Sequence, residues 1–195
     1  MLSRKYKTAF GEFIQPVNLA LHRLRISADH LTLAGIVFGA LAAIAFAEGR
    51  LPLGGLFLAL AGAADMLDGS LARAAGSASP FGSFIDSVAD RATDVLILGG
   101  LAWHFRTTTE LAVVIVAIGG SFLVSYAKAR AEGLGIACDV GLMERPERMI
   151  LLIAGALSGL MRTAVWALAV LSLVTAVQRV WHVRKALNVN LIRKG

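Results

Sequence analysis

Asp65, Asp68, Asp86 and Asp90 bring four carboxylates into one short window of a mostly apolar chain, with Gly69, Ala72, Arg73 and Gly82 set between them. An aspartate in a hydrophobic helix is expensive, so four at helical spacing need a partner. Asp65 and Asp68 stand at i,i+3 and Asp86 and Asp90 at i,i+4, so each pair shares one helix face. Two antiparallel helices joined through Gly76-Ser77-Ala78-Ser79-Pro80 would bring those faces together. Hard oxygen ligands of this kind suit Mg²⁺, or Mn²⁺. Two such ions about 4 Å apart would clamp a phosphate and stabilise both the attacking and the leaving oxygen. Gly69 and Ala72 keep the neighbouring surface small enough for close approach of a substrate, and Arg73 offers a bidentate fork to phosphate. Two plainer readings stand beside this one: aspartates paired with Arg73 and Arg91, or a cation transporter with an aspartate-lined path.

The elements that must position these residues are membrane helices. The chain has 195 residues, of which 57% are hydrophobic and only 16% charged, against about 25% charged in soluble domains. Mean hydropathy is +0.71. A spanning helix needs about 20 apolar residues. Six candidates run Leu31–Ala47, Leu51–Ala72, Phe81–Trp103, Leu111–Ala129, Met149–Leu160 and Ala164–Trp181. The expected fold is all-α: an integral membrane protein with six transmembrane helices in a single domain over residues 1–195. Residues 1–26 form a juxtamembrane amphipathic segment, an interfacial helix dipping Phe10, Phe13 and Ile14 into the membrane rather than a signal peptide.

Lys and Arg placement sets the orientation. With both termini cytoplasmic, the outer loops hold only Arg50, Arg106 and Arg162, and the rest of the 19 Lys and Arg fall on the cytoplasmic side. The aspartate window then sits at the cytoplasmic ends of the second and third helices, at the cell (inner) membrane. The net charge of +6 fits basic loops on an anionic leaflet; the runs of basic residues with interleaved aromatics that nucleic acid would require are absent. The one cysteine, Cys138, excludes an intramolecular disulfide.

The pattern Asp-x2-Asp-Gly-x2-Ala-Arg-x8-Gly-x3-Asp-x3-Asp, present here with every gap intact, resembles the signature of CDP-alcohol phosphatidyltransferases. The resemblance extends over essentially the whole chain. It implies transfer of a phosphatidyl group from a CDP-linked lipid to an alcohol, with release of CMP, and a homodimer. By motif position it implies that Asp65, Asp68, Asp86 and Asp90 bind two metal ions, that Asp90 is also the base taking the acceptor's hydroxyl proton, and that Gly69, Ala72 and Arg73 line the CDP-lipid site. A carboxylate beside a metal-bound phosphate can both orient and deprotonate an incoming hydroxyl. Asp29 and Thr32 occupy the place where the family shows Pro-Asn or Pro-Asp followed by a hydrophobic-Thr pair, with Ala28 replacing the proline. They are candidates for the donor site, and Ser27 or Asp29 is equally a helix N-cap. Ser79, in the turn, is either a further contact to the CDP-lipid or only a turn residue.

A second group of polar residues bears on the acceptor. Ser125-Tyr126-Ala127-Lys128-Ala129-Arg130-Ala131-Glu132 and Glu144-Arg145-Pro146-Glu147-Arg148 place cations at the cytoplasmic ends of the fourth and fifth helices, and Arg179 lies near that end of the sixth. Several cations beside a metal site suit an acceptor that itself carries phosphate; ordinary positive-inside anchoring is the alternative. Lys128 and Arg130 cannot share a helix face, so at most one points at the site. These segments, with Val177-Gln178-Arg179, resemble those of phosphatidylinositol-phosphate synthases and of related archaeal ether-lipid enzymes. That implies CDP-diacylglycerol (or a CDP-linked ether lipid) as donor, inositol phosphate as acceptor, and Ser125, Lys128, Arg148 and Arg179 around the acceptor phosphate. Glycerol 3-phosphate, giving phosphatidylglycerophosphate, is the alternative acceptor.

Overall fold

The computed structural model describes residues 27–74 and 79–192, and within them every regular element is an α-helix. Six helices follow in order: α1 Ala28–Ala47, α2 Leu51–Ala74, α3 Pro80–His104, α4 Glu110–Glu132, α5 Arg145–Ser158 and α6 Met161–Ile192. The expected amphipathic segment over residues 1–26 lies outside the described residues.

Some of the helix starts have a clear local cause. Ser27 caps α1: its side chain accepts from His30 N while its own N–H reaches back to the His30 ring, a reciprocal pair that satisfies two otherwise orphaned donors. Ser79 caps α3, with Oγ accepting from Gly82 N at 3.0 Å, and Pro80 opens the first turn where its missing N–H is no loss. At α5 the N-cap position is Glu144, without a side-chain cap bond, and Pro146 lies in the first turn. That helix therefore begins at Arg145, inside the charged stretch and four residues before the apolar run that suggested it.

Among the described residues four helices are long and apolar enough to cross a membrane: Ala28–Ala47, Leu51–Leu71, Glu110–Glu132 and Met161–Asn188. In α3 the charged residues Asp86, Asp90, Arg91 and Asp94 break the apolar run, and α5 has only 14 residues. The helix exteriors are apolar, with Leu33, Val37, Leu56, Val95, Ile115, Leu123, Val170 and Val177 exposed, as expected where the surrounding solvent is hydrocarbon and backbone groups must be satisfied within each helix.

α1 packs against both α2 and α3, α4 against α6, and α5 against α2 and α6, while α3 also touches α4. Small residues allow the close crossings. Gly100 on α3 faces the α1 backbone at Ala43, where any Cβ would collide. Thr32 meets Asp68 at one end of the α1–α2 pair. At the other end of the bundle Gly49 abuts His104. The core of Phe46, Leu58, Leu101, Val114, Met161 and Leu168 is fully apolar. The buried charges Asp68, Arg148 and Arg179 gather at the Thr32–Asp68 end, so polar chemistry is confined to one end of the bundle.

Candidate active site

α2 and α3 deliver the aspartates as their spacing requires. Asp65, Asp68 and Asp86 come together so that one carboxylate oxygen from each lies within 4.8 Å of the others. Asp68 is buried and accepts the Thr32 hydroxyl at 2.7 Å, which places α1 at the cluster. Among the described residues no Lys or Arg forms an ion pair with Asp68 or Asp86, whereas Asp65 and Asp90 are both paired. Three hard oxygen donors converging in this way fit a divalent metal ion.

Asp90 lies apart from that trio. Arg145, from the start of α5, sets a single nitrogen, Nη1, 2.7 Å from Asp65 Oδ2 and 2.8 Å from Asp90 Oδ1. Arg91 stays 3.9 Å from Asp90 and donates instead to Ser87 O at 2.6 Å. The Arg145 Nε is buried without a hydrogen-bond partner, 3.9 Å from Asp94 Oδ1. Asp94 in turn accepts Arg148 Nη2 at 2.7 Å.

Two cavities meet at this ion pair. The first is lined by Thr32, Asp65, Asp68, Asp86, Asp90 and Arg145. The second, roomier one is lined by Asp90, Asp94, Ser125, Lys128, Arg145, Arg148 and Arg179, among others. Asp90 and Arg145 belong to both. The four residues expected around an acceptor phosphate therefore line one cleft, and that cleft opens on Asp90.

The cations of the cleft are differently committed. Lys128 is half-buried, 3.2 Å from Asp139 and 3.9 Å from Glu144; Arg130, two residues on, is exposed. Arg179 is 2% exposed and spends Nε on Val140 O, Nη1 on Val124 O and Nη2 on Glu144 Oε1, at 2.9, 2.7 and 2.8 Å. It fastens the segment after α4 to α6 as well as lining the cleft. Thr175, one turn earlier, helps: its hydroxyl oxygen accepts from Leu142 N at 3.2 Å and Met143 N at 3.1 Å. Gly141 has φ +128 and sits where a Cβ would run into Thr175, so the loop can approach α6 only with glycine there.

The remaining expected residues are placed as follows. Thr32 touches the cluster, but Asp29 is exposed in the first turn of α1 and the capping role falls to Ser27. Ser79 is the N-cap of α3. Gly69 is half-buried on α2 next to Asp68. The side chains of Ala72 and Arg73 lie outside the described residues. Two residues of the site were not singled out in the sequence, Arg145 and Asp94. The first was visible within Glu-Arg-Pro-Glu-Arg. The second continues the Asp86–Asp90 series by one more step of four.

Residues 25–184 match the family model for CDP-alcohol phosphatidyltransferase. The chain is 38% identical to a phosphatidylinositol phosphate synthase of Mycobacteroides abscessus, over 94% of this chain and 88% of that one. It is 37% identical to an archaetidylinositol phosphate synthase of Methanothermobacter thermautotrophicus, over 92% of each. Among solved structures it is similar to a Mycobacterium tuberculosis phosphatidylinositol phosphate synthase with CDP-DAG bound, with a TM-score of 0.77 at 32% identity, covering 86% of this chain and 92% of that one. The same enzyme in complex with manganese and citrate gives a TM-score of 0.78 at 31% identity, with 86% and 87% covered.

Proposed function

The chain belongs to the CDP-alcohol phosphatidyltransferase family, and from that premise we propose that it transfers a phosphatidyl group from CDP-diacylglycerol, or a CDP-linked ether lipid, to inositol phosphate. The observation that carries this reading is the shared wall: Asp90 faces both the aspartate cavity and the cationic cleft. Donor phosphates in the first and a phosphorylated alcohol in the second would meet at its carboxylate. The relatives named for inositol-phosphate acceptors support the choice of acceptor.

In this reading Asp65, Asp68 and Asp86, with Asp90 at the edge, hold two divalent ions, Mg²⁺ or Mn²⁺. Such ions supply Lewis-acid stabilisation of the charge that builds on the transferring phosphate. Thr32 fixes the Asp68 carboxylate. Gly69, Ala72 and Arg73 border the CDP-lipid, with Asp29 and Ser79 at its margin. Ser125, Lys128, Arg148 and Arg179 hold the acceptor phosphate in the cleft. Asp90 takes the proton of the acceptor hydroxyl as its oxygen attacks the lipid-bearing phosphorus; the pyrophosphate P–O bond breaks and CMP leaves. Arg145, 2.8 Å from Asp90, aims that carboxylate.

The wider setting is a single domain over 1–195 with six spans, α3 and α5 completing the four long apolar helices. The clustering of Lys and Arg supports cytoplasmic termini and a cytoplasmic active site at the inner membrane. The resemblance to the family is the support for a homodimer.

The test is an acceptor competition. Purified protein receives CDP-diacylglycerol and Mg²⁺ with inositol phosphate, glycerol 3-phosphate, serine and free inositol at equal concentration, and lipid products and CMP are measured. Phosphatidylinositol phosphate as main product supports the proposal. Phosphatidylglycerophosphate as main product would replace the acceptor, and no CMP with any alcohol would defeat the enzyme reading.

A further inference from the structure

We propose that Asp94 is the positioning residue for the acceptor subsite: it orients Arg148 toward the acceptor phosphate and thereby sets acceptor affinity. The proposal rests on the acceptor reading above.

Asp94 follows Asp90 by one helical turn on the same face of α3, yet it stands outside the three-aspartate cluster. Its two oxygens address two arginines of α5. Oδ2 accepts Arg148 Nη2 at 2.7 Å, and Oδ1 is 3.9 Å from the Arg145 Nε. Arg148 is only 5% exposed. Its other hydrogen bond, from Nη1 to Met143 O, is long at 3.4 Å. Asp94 is thus the one short, charged contact that fixes the plane of the guanidinium, and a planar fork binds phosphate well only when its plane is set.

The packing behind the pair supports this role. The space beneath Asp94 and Arg148 is walled by Leu58, Ile97, Leu98, Leu152 and Leu168, with the Ser121 hydroxyl as a further polar neighbour. Among the described residues nothing on that side offers Arg148 a second anion. Without the Asp94 charge the guanidinium would keep only its long bond to Met143 O.

Charge alone predicts the opposite outcome, which makes the idea decidable. If Asp94 only diluted the positive field of the cleft, Asp94→Asn would make the cleft more cationic and lower the KM for a phosphorylated acceptor. If it positions Arg148, the same change raises that KM although net charge now favours binding.

The experiment measures KM for inositol phosphate and for CDP-diacylglycerol, by CMP release, in wild type, Asp94→Asn, Arg148→Ala and the double variant. The expected result is an acceptor KM raised about tenfold by Asp94→Asn, an unmoved donor KM, and no further rise when Asp94→Asn is added to Arg148→Ala, because the residue it acts through is gone. A lowered or unchanged acceptor KM, a matching rise in donor KM, or an equal rise in the Arg148→Ala background overturns the proposal. Should Asp94→Asn fail to fold, the comparison of Arg148→Ala with the double variant, which leaves no unpaired charge, carries the test alone: equal acceptor KM values support it and a further rise overturns it. Wild type that turns over no phosphorylated alcohol defeats both this proposal and the function on which it rests. Wild-type turnover with an unaltered Asp94→Asn defeats only the role of Asp94.

Discussion

Arg145 Nη1 lies 2.8 Å from Asp90 Oδ1, and this ion pair forms the common wall of the aspartate cavity and the cationic cleft. Because the same nitrogen also holds Asp65 at 2.7 Å, one guanidinium from α5 ties α2 to α3. Removing one partner of a fully buried pair costs about 3–5 kcal/mol, and this half-buried pair contributes less. Arg145→Ala is therefore expected to lower the melting temperature in detergent by several degrees in EDTA, with Mg²⁺ recovering much of the loss because it supplies the missing positive charge. A melting temperature equal to wild type in EDTA would show that the pair contributes nothing to holding the helices together.

Thr32 and Asp68 make the matching link from α1. A hydrogen bond to a charged group contributes about 1.5–3 kcal/mol, and about 1.4 kcal/mol is a factor of ten in affinity. Thr32→Val, which keeps the side-chain shape, is expected to raise the Mg²⁺ concentration for half-maximal activity about tenfold, and Thr32→Ser to leave it near wild type. Titrating Mg²⁺ against CMP release reads both.

Arg148 and Arg179 line the same cleft but are built differently, and their variants should separate. Arg148→Ala is expected to raise the acceptor KM at least about tenfold with the donor KM little changed, as loss of a phosphate contact does. Arg179→Ala removes three hydrogen bonds, to Val124 of α4, to Val140 in the segment after it and to Glu144, so it should also lower the melting temperature. Arg179→Lys should rescue it poorly, since an ammonium cannot span three acceptors in a plane. Paired kinetics and thermal melts distinguish the two. Identical behaviour of Arg148→Ala and Arg179→Ala in both would contradict the different commitments seen in the structure.

Thr175 is remote from the chemistry but anchors the loop. Thr175→Val leaves the Leu142 and Met143 N–H groups without their acceptor, a loss of about 1–3 kcal/mol for each group that stays buried. Hydrogen exchange over residues 133–144 is expected to rise, with a higher acceptor KM and unaltered metal dependence. Unchanged exchange in that segment would show the loop to be held by other contacts.

The aspartate site was legible in the sequence because its signal is local. Residues at i,i+3 and i,i+4 share a face whatever the rest of the fold does, so Asp65 with Asp68 and Asp86 with Asp90 could be paired before any helix was seen. The helix order was legible for the same reason, since apolar runs of spanning length leave few alternatives. Arg145 was not, because its role depends on α5 packing against α2, a long-range contact that no periodicity encodes. Asp94 was masked differently: the motif that drew attention to α3 ended at Asp90, although the spacing of four continued. Among the caps, Ser27 prevailed over Asp29 because the His30 ring closes a reciprocal pair with it. The apolar run Met149–Leu160 marks only the membrane-facing part of α5; the helix starts four residues earlier, at Arg145, where Pro146 suits a first turn.

The central claim is that Asp90 removes the acceptor's proton at the junction of the two cavities, and Asp90→Asn tests it most directly. The measurement is single-turnover CMP release from CDP-diacylglycerol with saturating inositol phosphate and Mg²⁺, alongside the binding of CDP-diacylglycerol to the same preparation. The account predicts release slowed by about 10²–10⁴-fold, the usual contribution of a positioned base, with lipid-nucleotide binding retained. Asp90→Asn turning over at the wild-type rate would contradict it.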